Sequence, residues 1–322
     1  MPEKKLIEAV DLCKYYKTPK GALHAVEGVN FTIEEGTTLG VVGESGCGKS
    51  TLGRTIMNLH DSTSGKILFD GEDVTHPNKA QKKMIHKNIQ MIFQDPASSL
   101  DPRRCVNDLI AEPMKVMKLC KGKAELEKRV AELMDTVGLA RRYAFSYPHE
   151  LDGGRRQRIG IARALSVSPR FIVCDEPVSA LDVSIQAQIL NLLQDLQEEH
   201  GLTYMFITHN LSVVKHISHD IMVMYLGCQV EKCSSKELFQ KPLHPYTKGL
   251  LSAIPIPSIH VNRQRIVMSG EVTSPINPKP GCRFASRCPY ATEQCTQELP
   301  KVEEVLPQHF CACHRVREIN QL

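Results

Sequence analysis

Gly43-Glu44-Ser45-Gly46-Cys47-Gly48-Lys49-Ser50-Thr51 contains the spacing G-x-x-x-x-G-K-[ST]. Glycines at those places let the backbone curl until successive N–H groups face phosphate oxygens. In such a loop Lys49 would contact β- and γ-phosphates and Ser50 would ligate Mg²⁺. A chance Gly-rich turn is the alternative, and context separates the two. Here the run Thr37–Val42 before the loop reads as a buried strand, and Thr51–Met57 after it reads as a helix. The N-terminus of that helix would add partial positive charge. A second chemical pair, Asp175-Glu176, ends the apolar run Phe171–Cys174. Carboxylates at a strand's C-terminal end sit where α/β sheets bind ligands. Asp175 would hold Mg²⁺ through water, and Glu176 would polarise an attacking water. Alone, an acidic pair there is usually a loop or a helix cap; a phosphate loop in the same chain points to chemistry.

A third constellation lies in the tail: Cys282-x5-Cys288-x6-Cys295-x17-Cys313, with Cys311 an extra thiol and His309 and His314 close by. On spacing alone, four such thiolates suit either an iron–sulfur cluster or a structural zinc with Cys₄ or Cys₃His ligation. The other seven of the 12 cysteines are scattered and read as small packing residues, Cys47 among them.

These groups need elements to position them. Phe171–Cys174 and Thr203–Ile207 are short apolar runs rich in β-formers, as strands covered on both faces are. Ala124–Gly138 is helical by the period of Leu126, Val130, Leu133, Met134 and Val137, and Gly138 is a stop signal. Val183–His200 repeats the pattern. Alternating strands and helices imply an α/β domain around a largely parallel sheet. Ten of the 19 prolines lie between Pro242 and Pro307, so the regular domain is expected to end near residue 250. Ile254–Pro257 and Ser274–Pro280 can be neither helix nor central strand. A loop-rich module follows, too poor in apolar residues for a good core, where a metal staple would help.

Composition narrows the class. With 40 basic against 36 acidic residues, net charge +4 argues against a dedicated nucleic-acid binder. No apolar run approaches the roughly 18 residues of a membrane span, and the first residues lack a signal peptide's apolar core. A cytosolic chain is the expectation.

At this point the residues resemble an ATP-binding cassette (ABC) ATPase. Leu151-Asp-Gly-Gly-Arg-Arg-Gln-Arg158 is similar to the family signature L-S-G-G-Q, Gln94 to the Q-loop glutamine, Ser179–Asp182 to the D-loop and His209 to the switch histidine. Tyr16 stands where the family has an aromatic that stacks on adenine, worth roughly 1–3 kcal/mol; Tyr15 is the weaker candidate. Phe93–Arg103, His244–Leu251 and Gly281–Pro289 narrow the resemblance to the oligopeptide/dipeptide importer ATPases.

The resemblance implies a P-loop NTPase fold with a RecA-like core, an N-terminal antiparallel β subdomain and a helical subdomain at about 95–168. Residues 1–250 would form the nucleotide-binding domain and 251–322 the Cys-rich C-terminal module. It implies ATP and Mg²⁺ as ligands, with Gln94 joining Ser50 and Asp175 at the metal, and catalysis by Glu176, His209 and Gln94. It lifts a [4Fe–4S] cluster on Cys282, Cys288, Cys295 and Cys313 above zinc. It implies a paralogous ATPase subunit, two membrane permeases, an extracytoplasmic binding protein and a peripheral place on the cytoplasmic membrane face. One loop and one signature per chain mean that each ATP would be completed in trans: Asp152, Gly153, Gly154 and Arg155 of this chain would complete the partner's ATP site and the partner's signature this chain's, with Asp182 among the nucleotide contacts.

The signature's usual serine is Asp152 and its usual glutamine is Arg155. An ionised aspartate cannot donate to a γ-phosphate and would repel it, although Asp is as good a helix N-cap as Ser. The expectation is an asymmetric heterodimer with one competent and one weak site. Two other readings are a soluble ABC ATPase acting on nucleic acid or ribosomes, and a largely regulatory, non-hydrolysing subunit. The first would require two cassettes, a coiled-coil insertion or a strongly basic face. The second is opposed by intact Glu176 and His209 and favoured in part by Asp152.

Overall fold

The computed structural model describes residues 4–254, 266–268, 270 and 274–322. The chain forms two compact units, one made chiefly of Pro77–Ile207 with Glu34–Thr37, the other of Lys5–Ile33, Thr38–His76 and Thr208–Leu322. The boundary expected near residue 250 falls inside the second unit. Among the described residues, no helix is long and apolar enough to cross a membrane.

In the first unit, strands Ile89–Ile92, Phe171–Asp175 and Thr203–Thr208 run parallel, with Ile89 opposite Phe171 and Phe171 opposite Thr203. All five residues of Phe171–Asp175 are buried, which is why the strand reads as a continuous apolar run without alternation. The inserted helices are Val106–Met117, Lys123–Thr136 and Gly153–Leu165. Val106, Leu109, Ile110 and Met114 form the buried stripe of the first of these at helical spacing. Gly138, at φ 63°, stops the second. Helix Val183–His200 begins at an Asp182 cap and ends at Gly201, whose φ of 64° is left-handed.

In the second unit, strand Lys5–Thr18 pairs antiparallel with Ser64–Phe69, and Ser64–Phe69 with Glu72–Asp73. The fully buried strand Thr38–Val42 runs parallel to Asp220–Tyr225, which turns back antiparallel into Cys228–Ser234. The tail joins this sheet: His309–Cys311 pairs with Cys228–Ser234 and is itself paired by Glu303–Leu306. Phe284, 1% exposed, packs its ring against Tyr225 and Tyr246, with centroids 5.3 and 5.4 Å away. Ser274–Pro280 is irregular, with a single bridge from Ile276 to Leu23. Of the other proline-rich segment, 255–257 lie outside the described residues.

Candidate functional site

The phosphate loop leaves the end of Thr38–Val42 and feeds helix Lys49–Ile56. Gly48, at φ 102°, sits so close to its neighbours that a Cβ would lie 2.0 Å from the Ala25 carbonyl oxygen. Only glycine fits there. Lys49 is 4% exposed and folds back over the loop, its Nζ donating to the carbonyl oxygens of Gly43 (2.9 Å) and Glu44 (3.0 Å). No side chain caps this helix and no acidic residue lies in its first turn. The positive end of the helix thus faces the loop without a carboxylate of its own, so the loop fits a nucleotide phosphate. Ser45 and Gly46 are exposed at the rim, Ser50 and Thr51 are half-buried, and Cys47 is packed inside with its thiol pushed up by burial. His209, in the same unit, is exposed just after Thr203–Thr208.

The first unit holds the carboxylates. Asp175, 1% exposed, ends its strand. Glu176 follows with φ 47°, a left-handed conformation costing about 1–3 kcal/mol for a non-glycine residue. The neighbouring backbone imposes it: Glu176 N–H donates to Ile207 O (2.9 Å), and Glu176 O accepts from Ser179 N–H (3.2 Å). Gln94 donates from Nε2 to Glu176 Oε2 at 3.0 Å, bringing together two residues far apart in the chain.

The altered signature is also in this unit. Asp152 caps helix Gly153–Leu165, its Oδ1 accepting the Arg155 N–H at 2.8 Å while its Oδ2 pairs with the Arg155 guanidinium. Arg156 points elsewhere, donating to Pro148 O. A Cβ on Gly154 would meet Ile185 at 2.7 Å, so the glycine permits close packing against helix Val183–His200. Asp182 caps that helix by accepting Ile185 N–H (3.0 Å) and Ser184 Oγ (2.7 Å), and these bonds hold its carboxyl below the usual range. In the second unit, Tyr15 donates to Glu27 at 2.6 Å and stacks on His24. Tyr16 is half-buried, with Lys14 over its ring and His60 at its edge.

Cys282, Cys288, Cys295 and Cys313 line one cavity, together with Phe284, Tyr290 and Arg315. Cys311 does not line it; it is buried instead with Leu243, Val305 and Val316. Burial pushes the Cys282 thiol up to about 12, and the other three add to the shift. Among the described residues, no three of these sulfurs lie within 4.8 Å of one another. The four thiols share one cavity, where they could act together as metal ligands.

A tighter metal-ligand set, Glu231, Cys233 and His309, lies in the same unit. Its carboxylate is already engaged: Glu231 accepts Leu243 N–H (2.7 Å), His244 N–H (2.9 Å) and His309 Nε2 (2.7 Å). This hydrogen-bonded lock, and the contacts of Tyr246 and Arg287 with Glu44, escaped the sequence reading. The His244–Leu251 segment and the residue beside Cys288 were the available signals; both stood out only as family markers.

The ABC transporter model matches residues 26–179, and the model for the oligopeptide/dipeptide transporter C-terminal region matches 230–295. Oligopeptide transport ATP-binding protein OppF of Bacillus subtilis is 56% identical over 96% of this chain and 96% of its own. AppF of the same organism, also an oligopeptide transport ATP-binding protein, is 49% identical over 96% and 97%. Dipeptide transport ATP-binding protein DppF of Haemophilus influenzae is 45% identical over 97% of both. A solved dimeric ATP-binding cassette with ADP and Pi superposes with TM-score 0.65 at 29% identity, covering 71% of this chain and 99% of that one. With the phosphate loop, the carboxylate strand and the tail in place, the chain belongs to the ATP-binding proteins of the ABC transporter family and is an ABC-type ATPase with the oligopeptide/dipeptide C-terminal region.

Proposed function

We propose that this chain is the ATP-hydrolysing subunit of an importer that takes up di- or oligopeptides through two partner permeases fed by a binding protein, and that it works as one half of an asymmetric heterodimer with a paralogous ATPase at the cytoplasmic membrane face. Relatives matched over nearly the whole chain support the peptide class; each carries peptide transport in its name. None of these three is named for nucleic acid or ribosomes.

In this reading the loop Gly43–Thr51 binds the phosphates, and Tyr16 carries the adenine. Ser50, Gln94 and Asp175 hold Mg²⁺, which supplies charge neutralisation at the phosphates. Gln94 orients the Glu176 carboxylate, Glu176 draws the proton from water, and His209 contacts the γ-phosphate. The Gln94–Glu176 hydrogen bond is the observation that best supports this assignment. The paired, capping state of Asp152 supports the asymmetry: its oxygens are acceptors occupied by Arg155 and have no proton to offer a phosphate across the dimer.

We further infer that Cys282, Cys288, Cys295 and Cys313 hold a [4Fe–4S] cluster, which would staple the tail. The shared cavity supports this, and Cys313 lining it while Cys311 does not supports Cys313 as the fourth ligand.

In the assembled transporter, Glu176→Gln is expected to lower ATP turnover by about 10²-fold or more, while the matching change in the partner ATPase has a small effect. Equal losses from both would overturn the asymmetry. Normal turnover by Glu176→Gln would overturn the role of Glu176.

A further inference from the structure

Glu44, the residue after the loop's first glycine, is held by the tail. Arg287 donates from Nη1 to Glu44 Oε2 (2.9 Å) and from Nη2 to Oε1 (3.2 Å). This is the two-pronged geometry that fixes a carboxylate in plane and position. The same Nη1 reaches the Tyr225 hydroxyl at 3.2 Å, and the Tyr246 hydroxyl accepts the Glu44 N–H at 3.0 Å. The Arg287 side chain is 8% exposed and that of Glu44 28%, so the pair is sheltered from screening. Glu44 also offers its carbonyl oxygen to Lys49 Nζ. On the other side, Arg287 is the chain neighbour of Cys288 in the cysteine cavity.

A carboxylate in a phosphate-binding loop is a liability, because it repels the anion the loop receives. Arg287 cancels that charge and fixes the backbone of Glu44 through its side chain. We propose that Arg287 is a positioning residue of the ATPase, through which the cysteine module sets the affinity of the phosphate loop for nucleotide. This rests on the reading that Gly43–Thr51 binds ATP, and it goes beyond that reading by giving the tail a part in the nucleotide site.

The test is equilibrium titration of the full chain with ATP, reported by a fluorescent analogue, with iron content and visible spectrum recorded for every sample. Arg287→Ala is expected to weaken ATP binding about tenfold, equivalent to about 1.4 kcal/mol. Glu44→Gln alone removes the repulsive carboxylate and leaves the Arg287 guanidinium beside the loop, so ATP binding at least as tight as in the wild type is expected. Adding Glu44→Gln to Arg287→Ala is expected to restore most of the affinity, a rescue that a purely structural role would not produce. Wild-type affinity in Arg287→Ala overturns the proposal. So does a loss that Glu44→Gln leaves unrecovered, which would assign Arg287 to the folding of the tail. If Arg287→Ala loses iron, Arg287→Gln, which keeps a polar stem of similar length, is read by the same two criteria. Failure of the wild-type chain to bind ATP would instead refute the loop's function.

Discussion

Replacing Glu231 by alanine tests how the tail is locked to the sheet. Glu231 is 0% exposed and His309 1%. The carboxylate accepts three hydrogen bonds, from Leu243 N–H, His244 N–H and His309 Nε2. Alanine leaves three buried donors without that acceptor, each costing about 1–3 kcal/mol. The total is bounded by the roughly 3–5 kcal/mol typical of breaking a buried pair. Glu231→Gln keeps one acceptor oxygen and is expected to cost about 1–2 kcal/mol. Native-state hydrogen exchange read by mass spectrometry reports this locally. Peptides spanning 228–234 and 309–311 should exchange roughly 10²- to 10³-fold faster in Glu231→Ala, while the strand Phe171–Asp175 of the other unit stays protected. Wild-type exchange in those tail peptides would refute the reasoning. Equal damage from Glu231→Gln and Glu231→Ala would mean that charge, not the count of acceptors, holds the lock.

Two further outcomes follow from the same unit. Burial holds the His244 pKa at about 4, below its ordinary 6.5, and its Nδ1 accepts the Tyr246 N–H only while unprotonated. The unfolded chain therefore takes up a proton near pH 6.5 that the folded chain refuses until about pH 4, and stability falls as pH falls through that window. From pH 7.5 to 5 this group should remove about 2 kcal/mol, seen as a steeper loss in urea denaturation than in His244→Gln; parallel slopes would contradict it. For the cysteines, anaerobically purified Cys313→Ser should lose iron and its visible absorbance, whereas Cys311→Ser keeps both. A colourless wild-type chain with stoichiometric zinc would reject the cluster.

Much of this was legible in the residues because the signals were local. Asp182 and Gly201 mark the two ends of helix Val183–His200, and cap chemistry acts within a few positions. The loop glycines encode backbone angles directly, as Gly48 shows. The capping role of Asp152 was legible for the same reason. What could not be read was chemistry between distant residues. Glu231 and His309 lie 78 positions apart, and Glu44 and Arg287 lie 243 apart. Neither pair leaves any periodicity, and each acquires its meaning only once strands have paired. The orienting bond from Gln94 to Glu176 was equally hidden, although both residues were selected individually.

The strand His309–Cys311 covers one side of Cys228–Ser234, whose other side is taken by Asp220–Tyr225. A chain ending before His309 would present unpaired N–H and C=O groups along part of that largely buried strand, a ready template for a neighbouring molecule. The final residues thus act as a guard against self-association. Versions truncated before His309 should aggregate before they lose their nucleotide chemistry, as light scattering beside an ATP-binding titration would show.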